Sequence, residues 1–154
     1  MNAVRWLDAD EMRAWRAFVE TVGDLLAALD ADLHEHDQLS LGDYQVLVYL
    51  SEAPGHRLRM CDLAGRLHLS PSGLTRRLDG LVHQGLVARE PSTEDRRVLL
   101  AVLTPAGLAA LEAAAPHHVA SVRRRLLDQL SPAEVRTLGT IFEKVQAALA
   151  DSAA

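Results

Sequence analysis

The sequence has one cysteine, one lysine and no long apolar run. A lone Cys61 cannot close an intrachain disulfide, which fits a chain kept in a reducing cytoplasm. No apolar stretch approaches the ~18 residues that a membrane helix needs. Ala27-Ala28-Leu29 is stopped at once by Asp30 and Asp32, so no membrane partner is expected. Met1 to Glu11 carries mixed charges and too short an apolar run for a secretory signal. No nucleophile–base pair, phosphate-binding glycine loop or metal-ligand spacing is present, and Gly65, Gly73, Gly80 and Gly85 lack the spacing of such a loop. These absences argue against an enzyme, a bound metal or a cofactor.

What is present is apolar and unevenly charged. At 154 residues and 49% hydrophobic content, the chain can build one domain with a real core, or a small domain with an extension. The net charge is −5. Residues 1–55 hold three basic and eleven acidic residues, net −8. Residues 56–97 hold eight arginines and five acids, net +3, and residues 98–154 balance five against five. A modest excess of this size is also seen on ordinary surfaces. Its confinement to the middle segment nevertheless points to a polyanion site there.

Apolar spacing predicts the helices. Trp15, Phe18, Val19, Val22, Leu25, Leu26, Leu29 and Leu33 form one helical stripe, predicting a helix over 9–35 capped by Asp8 or Asp10. Residues 43–52 read as a short, mostly buried helix ended by Ala53-Pro54-Gly55. A third helix covers 60–67, with Leu63, Ala64 and Leu67 inward. Ser70 is an N-cap and Pro71 a first helical residue, so a fourth helix spans 71–84. Its apolar face is Leu74, Leu78, Leu81 and Val82, and Gly85 ends it in a left-handed turn. Leu86–Arg89 and Val98–Leu103 read as a β-hairpin whose charged tip runs from Glu90 to Arg97. Thr104-Pro105 starts a long helix in which Pro116 predicts a kink near Ala113–His117. Ser131-Pro132-Ala133-Glu134 starts the last helix with a capping box, and only the final few residues look frayed.

Two short helices joined by a tight turn make a helix-turn-helix, and a hairpin directly after them makes it winged. The second helix can enter a major groove about 12 Å wide and present its N-terminal residues to base edges. Ser70 and Ser72 offer small hydroxyls, Gly73 allows close backbone approach, and Thr75 offers a hydroxyl and a methyl. Arg76 and Arg77 can reach guanine edges or phosphates. Arg96 and Arg97 stand at the wing tip, where an arginine suits a narrow minor groove. Arg57, Arg59 and Arg89 flank the site as phosphate contacts. Taken singly, a Ser-Pro start is usually only a cap and an arginine pair is usually only solvated. The order helix-turn-helix, glycine turn, arginine-tipped hairpin is far more specific.

Residues 41 to 107 resemble the winged core of the MarR family of bacterial transcription regulators. The matching stretches are Leu63-Ala64, Leu69 to Arg76, Leu81-Val82 with Gly85-Leu86-Val87, Asp95-Arg96-Arg97, and Leu103 to Gly107. The resemblance implies a mostly α fold: a winged helix-turn-helix with a two-stranded β-wing and long dimerisation helices at both ends. The implied layout is an N-terminal dimerisation helix in 1–38, a DNA-binding domain in 39–104 and C-terminal dimerisation helices in 105–154. It implies a homodimer that binds double-stranded DNA at an inverted repeat, usually as a repressor that a small aromatic or anionic effector releases. Arg97 would enter a minor groove, with Asp95 orienting a neighbouring arginine.

The apolar stripes favour a dimer independently, because helices outside a complete winged domain leave apolar faces to bury. The alternative is that they pack on their own winged domain. Trp15, Phe18, Tyr44 and Leu47 could line an effector cleft, although such a stripe is more often core. Cys61 reads as a small core residue, with a redox role as the lesser reading. His34 and His36 do not share a helix face, and His117 and His118 lack completing ligands, so no metal is expected. The competing class is a helical interaction module whose winged domain binds protein without DNA.

Overall fold

The computed structural model describes residues 4–151. The chain divides into two compact units, one up to His118 and one from Val119.

In the first unit, α1 (Ala9–Asp37) opens with a capping box. The Asp8 carboxylate accepts from the Glu11 amide at 2.9 Å, and the Glu11 carboxylate accepts from the Asp8 amide at 3.0 Å. Next, α2 (Leu41–Glu52) is capped by Ser40. The short strand β1 (Arg57–Arg59) leads into α3 (Met60–Arg66) and α4 (Pro71–His83). Ser70 caps α4 and accepts from the Gly73 amide at 3.1 Å, with Pro71 at the first helical position as expected. Gly85 follows at φ 72°, a left-handed turn that a side chain would oppose. The wing strands are β2 (Val87–Pro91) and β3 (Leu99–Leu103), and α5 (Pro105–Arg125) follows.

The two-stranded wing forms as expected from β2 and β3, and β1 adds a third strand to its sheet. β1 pairs with β3 antiparallel, so the order is β1-β3-β2. Leu58 faces Ala101 in the register, and Arg57 and Arg59 fall on the opposite, exposed face.

The core gathers Leu33, Val46, Leu47, Leu50, Leu63, Leu74, Leu78, Leu81 and Val87, each nearly inaccessible to solvent. Each buried leucine contributes about 1.5–3 kcal/mol of transfer free energy, so the apolar faces of α2, α3 and α4 specify how these helices meet. Val82, expected inward on α4, is instead 36% exposed. It lies at the edge of a face that Leu74, Leu78 and Leu81 already fill. Cys61 is exposed rather than buried, because α3 turns Leu63 and Ala64 inward.

Only the C-terminal part of the α1 stripe is buried, at Leu29 and Leu33. Trp15, Phe18, Val19 and Leu26 remain exposed. Where α1 ends, the His117 imidazole stands 2.9 Å from the Asp37 carboxylate, and the Tyr44 and His118 rings are 4.5 Å apart. Burial raises the Tyr44 hydroxyl above its ordinary range, and the Asp37 charge adds to that.

α5 continues as one helix through Pro116, which removes one backbone donor without ending the element. In the second unit, a short 3-10 turn (Leu127–Gln129) leads into α6 (Pro132–Asp151). The Glu134 carboxylate accepts from the Ser131 amide at 2.8 Å, completing the predicted capping box and holding its pKa below the ordinary glutamate value. No α6 residue is buried, and Ile141, Val145 and Leu149 expose an apolar row. The fraying expected at the C-terminal end falls on 152–154, outside the described residues. Among the described residues, no helix is long and apolar enough to cross a membrane.

Burial holds the His118 pKa below the ordinary histidine value. On acidification, the unfolded chain therefore takes up a proton that the folded chain refuses, so stability falls as pH drops below about 6.5. His118→Phe should flatten this part of the stability-versus-pH curve in urea titrations. An unchanged slope would show that another group is responsible.

Candidate nucleic-acid interface

The inward leucines of α4 decide which residues face out. With about 100° between successive residues, Leu74, Leu78 and Leu81 take one side of the helix. Ser72 and Arg76 then fall on the opposite side, with Gly73 on its flank. Thr75 and Arg76 are exposed, as are Ser70 and Ser72 at the helix start. The Ser70 and Ser72 hydroxyls are 3.2 Å apart. Thr75 donates its hydroxyl to the Pro71 carbonyl at 3.0 Å, which leaves its oxygen free to accept and its methyl free for apolar contact. Gly73, Arg76 and Arg77 line one shallow depression with Asp43, Leu69 and Gly80.

The wing tip is shaped by its own hydrogen bonds. The Ser92 amide donates to the Val98 carbonyl at 2.8 Å, and the Val98 amide to the Asp95 carbonyl at 2.9 Å. The Asp95 carboxylate accepts from the backbone amide of Arg97 at 2.9 Å. Asp95 therefore orients Arg97 through its main chain rather than through its guanidinium. Arg96 and Arg97 are exposed on this turn. Arg57 and Arg59 line a cleft with the wing residues Ser92, Thr93 and Glu94, and with Asp62. Among the described residues, Arg59, Arg76, Arg96 and Arg97 carry no ion pair, so their charges are available to a polyanion.

Two expected contacts are placed differently. Arg89 turns back onto α4, donating to the Thr75 carbonyl at 2.8 Å and pairing with Asp79 at 2.8 Å. Its side chain is only 24% exposed, so it braces the base of the wing and is not free for a phosphate. Arg77 is directed at Asp43 and Ser40 rather than outward. The four proposed effector residues differ in burial. Trp15 and Phe18 are exposed on α1, whereas Tyr44 and Leu47 sit in the core. Tyr44 and Leu47 pack α2 into the core.

β1, which places Arg57 and Arg59 on one exposed face, was not expected from the sequence. Their alternation with Leu58 was the available signal. The inward roles of Arg77 and Arg89 have no local signal, since their partners lie 34 and 14 residues away.

A helix-turn-helix with an exposed N-terminal face, followed by an arginine-tipped hairpin, defines a winged helix-turn-helix protein, a class built to read double-stranded DNA. Residues 39–99 match the MarR family model. The whole fold is similar to AbsC, a MarR family transcriptional regulator from Streptomyces coelicolor. That similarity is 40% identity over 96% of this chain and 99% of AbsC, with a TM-score of 0.89. It is also similar to Sco3205, a MarR family regulator from the same organism solved in complex with DNA, at 35% identity over 97% of this chain and 93% of the other, with a TM-score of 0.90. The HTH-type transcriptional repressor YetL of Bacillus subtilis is 36% identical over 110 residues, which span 70% of this chain and 66% of YetL. The chain belongs to the MarR family of winged-helix transcriptional regulators. Members of this family act as dimeric, sequence-specific DNA-binding regulators, often ligand-responsive repressors, and not as enzymes.

Replacing Arg89 with Met removes the partner of a backbone carbonyl and of Asp79, and should cost about 1–2 kcal/mol of stability in urea unfolding. A change within about 0.5 kcal/mol, as for an ordinary surface substitution, would contradict the brace.

Proposed function

We propose that this chain is a transcriptional repressor that binds, as a homodimer, an inverted-repeat DNA site with half-sites about one helical turn apart. The observation that carries this reading is the exposed face of α4, with Ser72, Thr75 and Arg76 clear of internal ion pairs, beside a wing that presents Arg96 and Arg97. In this reading, α4 lies in the major groove. Ser70, Ser72, Gly73, Thr75 and Arg76 meet base edges and the nearest phosphates. Arg97 enters the adjacent minor groove, Arg96 lies along its edge, and Arg57 and Arg59 meet the backbone. The positive segment faces the polyanion, while the acids of residues 1–55 keep the rest of the chain from binding it indiscriminately.

Dimerisation is supported by apolar surface that a single chain leaves uncovered. Trp15, Val19 and Leu26 on α1 are 46–56% exposed, and Ile141, Val145 and Leu149 on α6 are 48–66% exposed. A second copy covers such rows symmetrically. An aromatic or anionic effector that releases the DNA would then bind beside Trp15 and Phe18 in the assembled dimer.

Selection of bound fragments from random DNA should return a two-fold symmetric site. Recovery of no consensus would favour the protein-binding alternative. On that site, Arg97→Ala should weaken binding by about tenfold or more while the dimer persists in sedimentation. Unchanged affinity would remove Arg97 from the interface. Val145→Asp should convert the dimer to monomer at micromolar concentration. A persistent dimer would place the interface elsewhere.

A further inference from the structure

Arg77 has the sequence position of a DNA contact and the structural position of an anchor. Its guanidinium lies over the first turn of α2, 3.3 Å from the Ser40 hydroxyl and 3.4 Å from the Asp43 carboxylate. Both partners belong to the cap of that helix, since Ser40 also accepts from the Asp43 amide at 3.1 Å. The guanidinium fits because residue 42 is glycine; a Cβ there would overlap it. A cation at a helix N-terminus meets the positive end of the helix dipole, so this placement depends on the Asp43 charge.

The location on α4 gives the contact its consequence. Thr75 and Asp79, which take Arg89 from the wing, lie about 200° and 160° around the helix axis from Arg77. The outward face of Ser72, Gly73 and Arg76 falls between these two braces. The apolar contact of Leu74, Leu78 and Leu81 fixes which side of α4 faces the core, and the polar contacts of Arg77 and Arg89 on its flanks refine its angle about the helix axis. The polar braces are directional, and a rotation of α4 would carry every base-reading side chain with it.

We propose that Arg77 is a positioning residue: it touches no DNA, but pins α4 to the first turn of α2 through Asp43 and Ser40, and so sets base selectivity. This rests on the DNA-reading function proposed above. Asp43 makes the proposal distinguishable from a phosphate contact, because it lines the same depression as Gly73 and Arg76. Removing an acid so close to a polyanion would, by charge alone, strengthen binding.

The test compares the full-length protein with Arg77→Met, Asp43→Asn and the double variant. Each is titrated with the selected DNA site and with a scrambled duplex across a range of salt concentrations. The expected result is a loss of selectivity of about tenfold in either single variant, with no further loss in the double. The dependence of log affinity on log salt should stay unchanged in Arg77→Met. Asp43→Asn preserves shape, so it reports even where Arg77→Met folds poorly. The proposal is overturned if Arg77→Met flattens the salt dependence by about 0.9, the value of one released phosphate contact, or if Asp43→Asn keeps the parent's preference for the selected site over the scrambled duplex. Failure of the parent protein to prefer the selected site would instead defeat the DNA-reading function itself.

Discussion

Burial of the leucines on α3 and α4 is the constraint on which the rest of the first unit depends. Leu63, Leu74, Leu78 and Leu81 are essentially inaccessible, and they meet Val46, Leu47 and Leu50 of α2 in the same core. This contact places two short helices at a defined crossing, although neither is long enough to be stable alone. Because the leucines occupy one side of α4, Ser72 and Arg76 have only solvent to face. The interface is thus a consequence of core packing, and the tight Ser70 cap and the left-handed Gly85 mark where it begins and ends.

The sheet extends the same logic. β3 is shared by β2 and β1, so the wing is rooted on both sides rather than hanging as an isolated hairpin, which would be marginal in water. Arg89 connects the wing to α4 directly. Arginine therefore serves two purposes in this chain. Arg77 and Arg89 are spent on internal geometry, while Arg59, Arg76, Arg96 and Arg97 keep exposed charge. A planar fork with several donors suits both purposes, which is why residue type alone does not separate them.

Much of this was legible in the sequence for local reasons. Ser70-Pro71 announces a helix start, Gly85 its end, and the polar run from Glu90 to Arg97 a projecting turn, because each depends on chemistry within a few residues. What was not legible depends on distance. β1 is three residues long and exists through its pairing with β3 some 40 residues on. Arg77 finds Asp43 from the neighbouring helix, and nothing beside Arg77 predicts it. The exposure of Trp15 on a stripe that reads as core follows from burial ending near Leu29 within one chain. The whole-chain charge of −5 is uninformative for a related reason: it averages an acidic N-terminal segment with the positive one that holds the proposed interface.

The central claim is that α4 and the wing read DNA together, from two copies related by a two-fold axis. Hydroxyl-radical and methylation footprinting of the selected site tests it directly. The account predicts two major-groove protections about one helical turn apart, each flanked on its outer side by minor-groove protection. Continuous, sequence-independent protection, or major-groove protection with the outer minor grooves left open, would contradict it.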